Sequence, residues 1–342
     1  MPCAHPRAAR PHPRALLGLF GMLCVWALLP QAAEARLSDR LRERLQSPAS
    51  QTSAPDAAVE PITTPGDRDF TLVHGGETRR YKVHVPRGYS PDRPTALVLA
   101  FHGGGGNMNV QANDRHYGQI SKADELGYVV VFPNGVGRLP GGKMATWNAG
   151  ACCGEARDRG ADDVGFVRAL LARLKQQLNV DASRVFATGM SNGGMMSYRL
   201  ACEMADSFTA IAAVAGTDNT LSCTPSRPVS VLHIHAVDDE RVLFNGGAGS
   251  KASQMTDFVS VPKTIAKWVA LDGCQGEPQR VLAVPGAHCD LYSACRGGSQ
   301  VKLCVTDSGG HSWPGGRKPM GGAQGSQALS ATDLIGEFFM RR

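Results

Sequence analysis

The sequence predicts an α/β fold, with a mostly parallel central sheet and helices on both faces. Two observations carry this expectation. From residue 66 onward, short apolar runs bounded by turn residues alternate with stretches of helical period, the pattern of strands joined through crossover helices. One run, Thr95–Phe101, is apolar throughout, as a strand covered on both sides must be.

Taken in order, residues 80–85 alternate in the manner of a half-buried strand, and 128–132, 184–188, 210–215 and 229–235 are apolar runs of strand length. Val301–Thr306 reads the same way. Helical patterns fall at 164–178, 194–205, 256–271 and 332–340. In sheets of this kind ligands gather at the carboxyl ends of the strands, so the loops following these runs are where chemistry is expected.

The N-terminus reads differently. Arg7, Arg10 and Arg14 precede an apolar stretch over residues 15–29, and Gln31-Ala32-Ala33-Glu34-Ala35 follows it. That order marks residues 1–35 as a secretory signal cleaved after Ala35. The apolar part is short for a membrane span, which makes an uncleaved anchor the lesser alternative and predicts no stable span after cleavage. Leu37, Leu41 and Leu45 suggest a short amphipathic helix, and the Ser-, Ala- and Pro-rich remainder of residues 36–65 reads as a flexible linker. Residues 66–342 then form one globular α/β domain. Losing three arginines and one glutamate with the signal lowers the formal charge from +6 to about +4, too mild to suggest nucleic acid as a partner.

Export places the remaining cysteines in an oxidising compartment, extracellular or periplasmic. Cys152, Cys153, Cys202, Cys223, Cys274, Cys289, Cys295 and Cys304 form an even set without a C-x-x-C pair, so disulfides are expected and a zinc site is not. Cys202 with Cys223 is the preferred pair. Adjacent Cys152 and Cys153 are expected to bond elsewhere, because a vicinal link is strained. Neither a metal nor an organic cofactor is expected.

Ser191 carries the strongest chemical signal. It sits in Gly189-Met190-Ser191-Asn192-Gly193-Gly194, between a predicted strand and a predicted helix, the setting of a nucleophile elbow. Small neighbours allow a sharp turn that lifts the hydroxyl clear of the sheet, and the N–H of Asn192 then faces a developing oxyanion. A serine hydroxyl needs a histidine to take its proton and an acid to hold that histidine. In hydrolases built on such elbows the acid and then the histidine follow the serine in the chain. The loop after residues 229–235 offers Asp239 first and Asp238 second. Of the later histidines, His311 lies in Gly309-Gly310-His311-Ser312-Trp313-Pro314, a loop following a strand, whereas His288 has no such setting. His233 and His235 fall inside a predicted strand and read as packed residues.

His102-Gly103-Gly104-Gly105-Gly106-Asn107 follows the buried strand. Its open backbone makes Gly103 or Gly104 the second oxyanion donor, and His102 reads as the residue that shapes the loop. Asp162 and Asp163 open a helix, where capping is the ordinary role. Trp147 and Trp313 flank the site in sequence and are candidates for an apolar substrate wall, with plain core packing as the equal alternative.

Together these residues resemble the secreted esterase family that contains polyhydroxybutyrate depolymerases and feruloyl esterases. The resemblance runs through HGGGGN at His102, WNAGACCG at Trp147, DDVGF at Asp162, GMSNGG around Ser191, HAVDDERVLFNGG at His235 and GGHSWPGG around His311. It implies an α/β-hydrolase fold, a Ser191, Asp239 and His311 triad, a small-molecule, oligomeric or polymeric ester as substrate, and, as a second and sharper reading beside capping, a role for Asp162 or Asp163 in ordering the floor of the site. The acid motif departs from the family's H-G-T-x-D-x-x-V-P-Y at Ala236, Val237, Leu243 and Phe244. About thirty residues follow His311, too few for a separate polymer-binding domain, so soluble esters are expected to outrun crystalline polymer. A peptidase on the same fold and a binding protein with a dead site are the competing readings.

Overall fold

The computed structural model describes residues 59–252, 256–319 and 324–341. The expected signal and most of the expected linker lie outside the described residues. In chain order the strands are β1 (Gly66–His74), β2 (Glu77–Val85), β3 (Thr95–Phe101), β4 (Val129–Pro133), β5 (Val136–Leu139), β6 (Lys143–Thr146), β7 (Val180–Met190), β8 (Ala210–Val214), β9 (Ser230–Ala236), β10 (Gln279–Val284), β11 (Ala287–Tyr292) and β12 (Val301–Thr306). The helices are α1 (Met108–Gln111), α2 (Asp114–Tyr117), α3 (Gln119–Leu126), α4 (Gly154–Asp158), α5 (Asp163–Gln177), α6 (Asn192–Glu203), α7 (Val261–Leu271) and α8 (Ala331–Met340).

All strands but β5 and β6 join one sheet in the order β1-β2-β4-β3-β7-β8-β9-β12-β11-β10. The six central strands, β4 to β12, run parallel. Antiparallel strands flank them at both edges. The edge strands β1 and β10 were not foreseen, and neither has a fully buried residue: β1 is mostly polar, and the short apolar run Val281–Val284 of β10 stays largely exposed.

Alternation along each central strand divides the core in two. Leu97, Leu99 and Phe101 of β3 join Val185 and Ala187 of β7 under α5, α6 and α7. Ala96, Val98 and Ala100, with Phe186, face the other way, under α1, α2, α3 and α8. A strand with period two and helices on both sides has no polar face to spare, which is why β3, β4, β8 and β9 are buried from end to end.

Three expectations need correction. Residues 59–65 do not all belong to a free linker: Ile62 is buried in the core and its N–H donates to the Gln177 carbonyl at 2.8 Å. Its apolar side chain within a polar stretch was the available signal. The helix expected from residue 256 begins only at Val261, because Ser260 caps it by accepting from the Lys263 N–H and Pro262 favours the first turn. Cys152 and Cys153 pair with each other, and the other six cysteines among the described residues are taken by Cys202–Cys223, Cys274–Cys295 and Cys289–Cys304. Cys289 and Cys304 are direct cross-strand partners in the β11–β12 ladder.

Non-reducing peptide mapping should recover these pairings, Cys202–Cys223 among them. Cys202→Ser with Cys223→Ser should lower unfolding free energy by about 3 kcal/mol through the lost loop constraint. An unchanged denaturation midpoint would contradict a stabilising cross-link there.

Candidate active site

Ser191 occupies the corner between β7 and α6 with φ 55° and ψ −123°, a region that costs a non-glycine residue about 1–3 kcal/mol. The surroundings hold it there. Its N–H donates to the Val214 carbonyl at 2.8 Å and its carbonyl accepts from Met195 at 2.9 Å. A methyl group on Gly193 would overlap the Phe101 carbonyl, and one on Gly216 would overlap the Ser191 carbonyl. Both neighbours must therefore be glycine for the chain to turn so sharply.

The loop after β3 lies against this corner. Methyl groups placed on Gly103 and Gly104 would each sit 3.6 Å from a Cβ, of Ser191 and Asn192 respectively. Gly105 donates to the Ala145 carbonyl and Gly106 to the Gly103 carbonyl, while the N–H groups of Gly103 and Gly104 have no acceptor among the described residues. His102 sets the loop as expected. It is fully buried, its Nδ1–H donates to the Gly103 carbonyl at 2.9 Å, and its Nε2 accepts from the Gly135 N–H at 3.0 Å.

Asp239 and His311 meet on the same edge. His311 Nδ1 lies 2.8 Å from Asp239 Oδ2, and Asp239 Oδ1 accepts from the N–H groups of Arg241 and Val242 at 2.8 and 3.0 Å. Burial alone would raise the Asp239 carboxyl. The His311 contact, His235 and the Arg241 N–H outweigh it and hold the carboxyl below its ordinary value, so Asp239 is an anion. Asp238, the second choice from sequence, acts elsewhere. Its carboxylate accepts from Gly309 and Gly310 and so anchors the loop that carries His311. Ser191, Asp239 and His311 follow β7, β9 and β12, all parallel, which brings them to one edge of the sheet. His288 lies instead within β11, opposite Val305.

Asn192 does more than its sequence position suggests. Its side chain clasps the backbone of Trp147, with Oδ1 accepting from the Trp147 N–H at 2.7 Å and Nδ2 donating to the Trp147 carbonyl at 2.9 Å. Asp163 does more than open its helix. It accepts from Arg79 at 2.6 Å and from the Asn148 N–H at 2.8 Å, tying the segment beside Trp147 to α5, while Asp162 caps that helix. The two tryptophans do not form an open wall. Trp147 is 0% exposed, with its indole N–H on the His102 carbonyl, and Trp313 is 3% exposed, with its indole N–H on Thr332. Both are core residues that support the loops on either side of Ser191.

Residues 116–226, which include Ser191, match the profile of the prolyl oligopeptidase family. Over 324 residues the chain is 31% identical to "Putative esterase NocK" of Nocardia uniformis subsp. tsuyamanensis, covering 86% of this chain and 91% of that protein. It is 30% identical over 242 residues to feruloyl esterase B of Piromyces equi, covering 68% of this chain but only 42% of that protein's length. Among solved structures, acetyl xylan esterase from Aspergillus awamori superposes with a TM-score of 0.52 at 13% identity, over 72% of this chain and 94% of that one. At that identity the likeness speaks for the fold alone.

The buried histidines predict how stability depends on pH. Burial lowers His102 to about 4, and lowers His233 and His235 below the ordinary imidazole value. The unfolded chain takes up these protons below about pH 6.5 and the folded chain does not, so each group's contribution is complete above that pH and is lost as pH falls toward its folded value. Each group steepens the decline by up to about 1.4 kcal/mol per pH unit. Calorimetry should show Tm falling steadily from pH 7 to pH 5. A Tm that stays level over that interval would contradict neutral buried imidazoles.

Proposed function

This chain belongs to an esterase family of the α/β-hydrolase fold, the family of the Nocardia uniformis protein, and from that membership we propose that it is a secreted serine esterase working through an acyl-enzyme. Ser191 Oγ attacks the ester carbonyl carbon while its proton passes to His311 Nε2. Asp239 engages Nδ1 of the same ring, keeping Nε2 free for the serine and stabilising the imidazolium that forms. The N–H of Asn192 and that of Gly103 or Gly104 receive the negative oxygen of the tetrahedral intermediate. The imidazolium then protonates the departing alcohol. Water, activated by the same ring, attacks the acyl carbon, and Ser191 leaves with its proton restored.

The observation that carries this reading is the 2.8 Å contact between a buried, ionised Asp239 and His311 on the edge where Ser191 turns. The names of the relatives favour an acyl group of the feruloyl kind. Apolar side chains near the site agree with an uncharged acyl group: Met144, exposed on β6, reaches to within 3.8 Å of a methyl group placed on Gly105, and Val237 is exposed just before Asp238. Export accords with the four cystines, since such bonds persist in oxidising compartments. No helix among the described residues is long and apolar enough to cross a membrane. A peptidase reading has one observation in its favour, the prolyl oligopeptidase match.

On p-nitrophenyl acetate, Ser191→Ala and His311→Ala should each lower kcat by about 10⁴-fold or more, Asp239→Asn by less, and Asp238→Asn by far less. Retained turnover in Ser191→Ala would overturn the nucleophile. A parallel panel of methyl ferulate, a hydroxybutyrate oligomer and a prolyl peptide should show ester cleavage well ahead of amide cleavage, and the reverse order would establish the peptidase reading.

A further inference from the structure

Behind Asp239 a line of buried polar side chains runs into the core, and the mechanism above makes no use of it. Tyr198 of α6 places its hydroxyl 2.8 Å from His233 Nδ1, His233 Nε2 lies 3.0 Å from His235 Nδ1, and His235 Nε2 lies 2.7 Å from the Val242 carbonyl. The same Nε2 is 3.5 Å from Asp239 Oδ2. His233, His235 and Asp239 are buried, and the two imidazole rings lie nearly parallel, with centroids 5.2 Å apart and planes 8° from parallel.

The direction of this line follows from its ends. A carbonyl and a carboxylate can only accept, so His235 Nε2 carries a hydrogen. A neutral His235 then has a bare Nδ1, which must accept from His233 Nε2–H, and His233 Nδ1 in turn accepts from the Tyr198 hydroxyl. Reversing the line would set the bare Nε2 of His235 against two acceptors. We propose that His235 is a positioning residue, held by Tyr198 and His233 in its Nε2–H form so that it fixes the Asp239 carboxylate and its turn against His311.

The turn is closed from both sides. Val242 accepts from His235 through its carbonyl and donates to Asp239 Oδ1 through its N–H, so the imidazole and the carboxylate grip one residue. Burial lowers His233 and His235 below the ordinary imidazole value, which keeps both rings neutral in the working range of a histidine base. The other titratable or charged groups near the line are His311 across Asp239, Arg241 in the Asp239 turn, Asp238 and Lys318 beside the His311 loop, and Asp218, paired with Lys267, near Tyr198. An N–H dipole behind Asp239 withdraws part of the carboxylate's charge from His311. Without it more of that charge faces His311, and the acid limb of the reaction moves to higher pH.

This inference rests on the Ser191, Asp239 and His311 reading, and the tests separate the two. In the intact wild-type protein, two-bond ¹H–¹⁵N spectra should show His233 and His235 as neutral Nε2–H rings from pH 8 down to 6. An Nδ1–H ring or an imidazolium at either position would overturn the proposal. His235→Leu should raise the acid limb of kcat/KM for p-nitrophenyl acetate by roughly half a pH unit and lower kcat about 10-fold with little change in KM. His235→Gln, whose amide can donate in place of Nε2–H, should bring the limb back toward wild type. A purely structural histidine would leave the limb in place, and an unmoved limb in His235→Leu overturns the inference. Should that variant fail to fold, Tyr198→Phe breaks the line at its far end with almost no change of volume. Its limb should move the same way by a smaller amount, and no movement refutes the proposal. Activity surviving in Ser191→Ala would instead remove the underlying site reading, whatever His235 does.

Discussion

A carboxylate buried away from water costs several kcal/mol unless its oxygens are met by donors, and the site is organised around meeting that demand at Asp239. His311 supplies one donor, the N–H groups of Arg241 and Val242 supply two more, and His235 stands at 3.5 Å. The three donors come from the loop after β12 and from the turn after β9, and the His235 contact adds β9. Satisfying one buried charge therefore fixes three pieces of chain relative to one another, and the imidazole is oriented as a consequence.

The opposite wall rests on a different constraint, close approach of backbone. The turn at Ser191 is possible only because the Phe101 and Ser191 carbonyls pass glycines where any side chain would collide. The positive φ of Ser191 is held by hydrogen bonds to Val214 and Met195, so strain at one residue is offset by the order of β8 and α6 around it. The loop from Gly103 to Gly106 inherits its position from this corner and from His102, whose two ring nitrogens are each engaged by backbone.

Around both walls runs a polar scaffold of buried side chains. Asn192 holds Trp147, and Asp163 holds Asn148 and Arg79, whose guanidinium lies 4.1 Å over the Phe166 ring. Each member satisfies a backbone group in a loop that has no ladder partner of its own. Such loops at the carboxyl edge of a sheet gain rigidity from side chains in place of secondary structure.

Much of this was legible in the sequence. Thr95–Phe101 announced a central strand because burial on both faces leaves no polar position, and GMSNGG announced a sharp turn because only small residues survive close approach. Chain order narrowed the acid to the Asp238–Asp239 turn and favoured His311, and the structure joins His311 to Asp239. What sequence could not decide were contacts between residues distant along the chain. Trp147 and Trp313 stand beside the motifs in sequence, yet their indole N–H groups point into the core. Edge strands β1 and β10 expose most of their surface, so apolar patterning does not place them: the run Val281–Val284 is apolar yet largely exposed. Asp238 and Asp239 are chemically identical neighbours, and only the tertiary fold assigns one to the imidazole and the other to its loop. His233 and His235 lie on β9 at a spacing any strand could show, and their alignment with Tyr198 exists only once α6 packs on the sheet. Local patterns carry burial and backbone conformation, because neighbouring residues determine both. The partners of a buried polar group depend on where the rest of the chain lies, and that is fixed only when the sheet and its helices close around it.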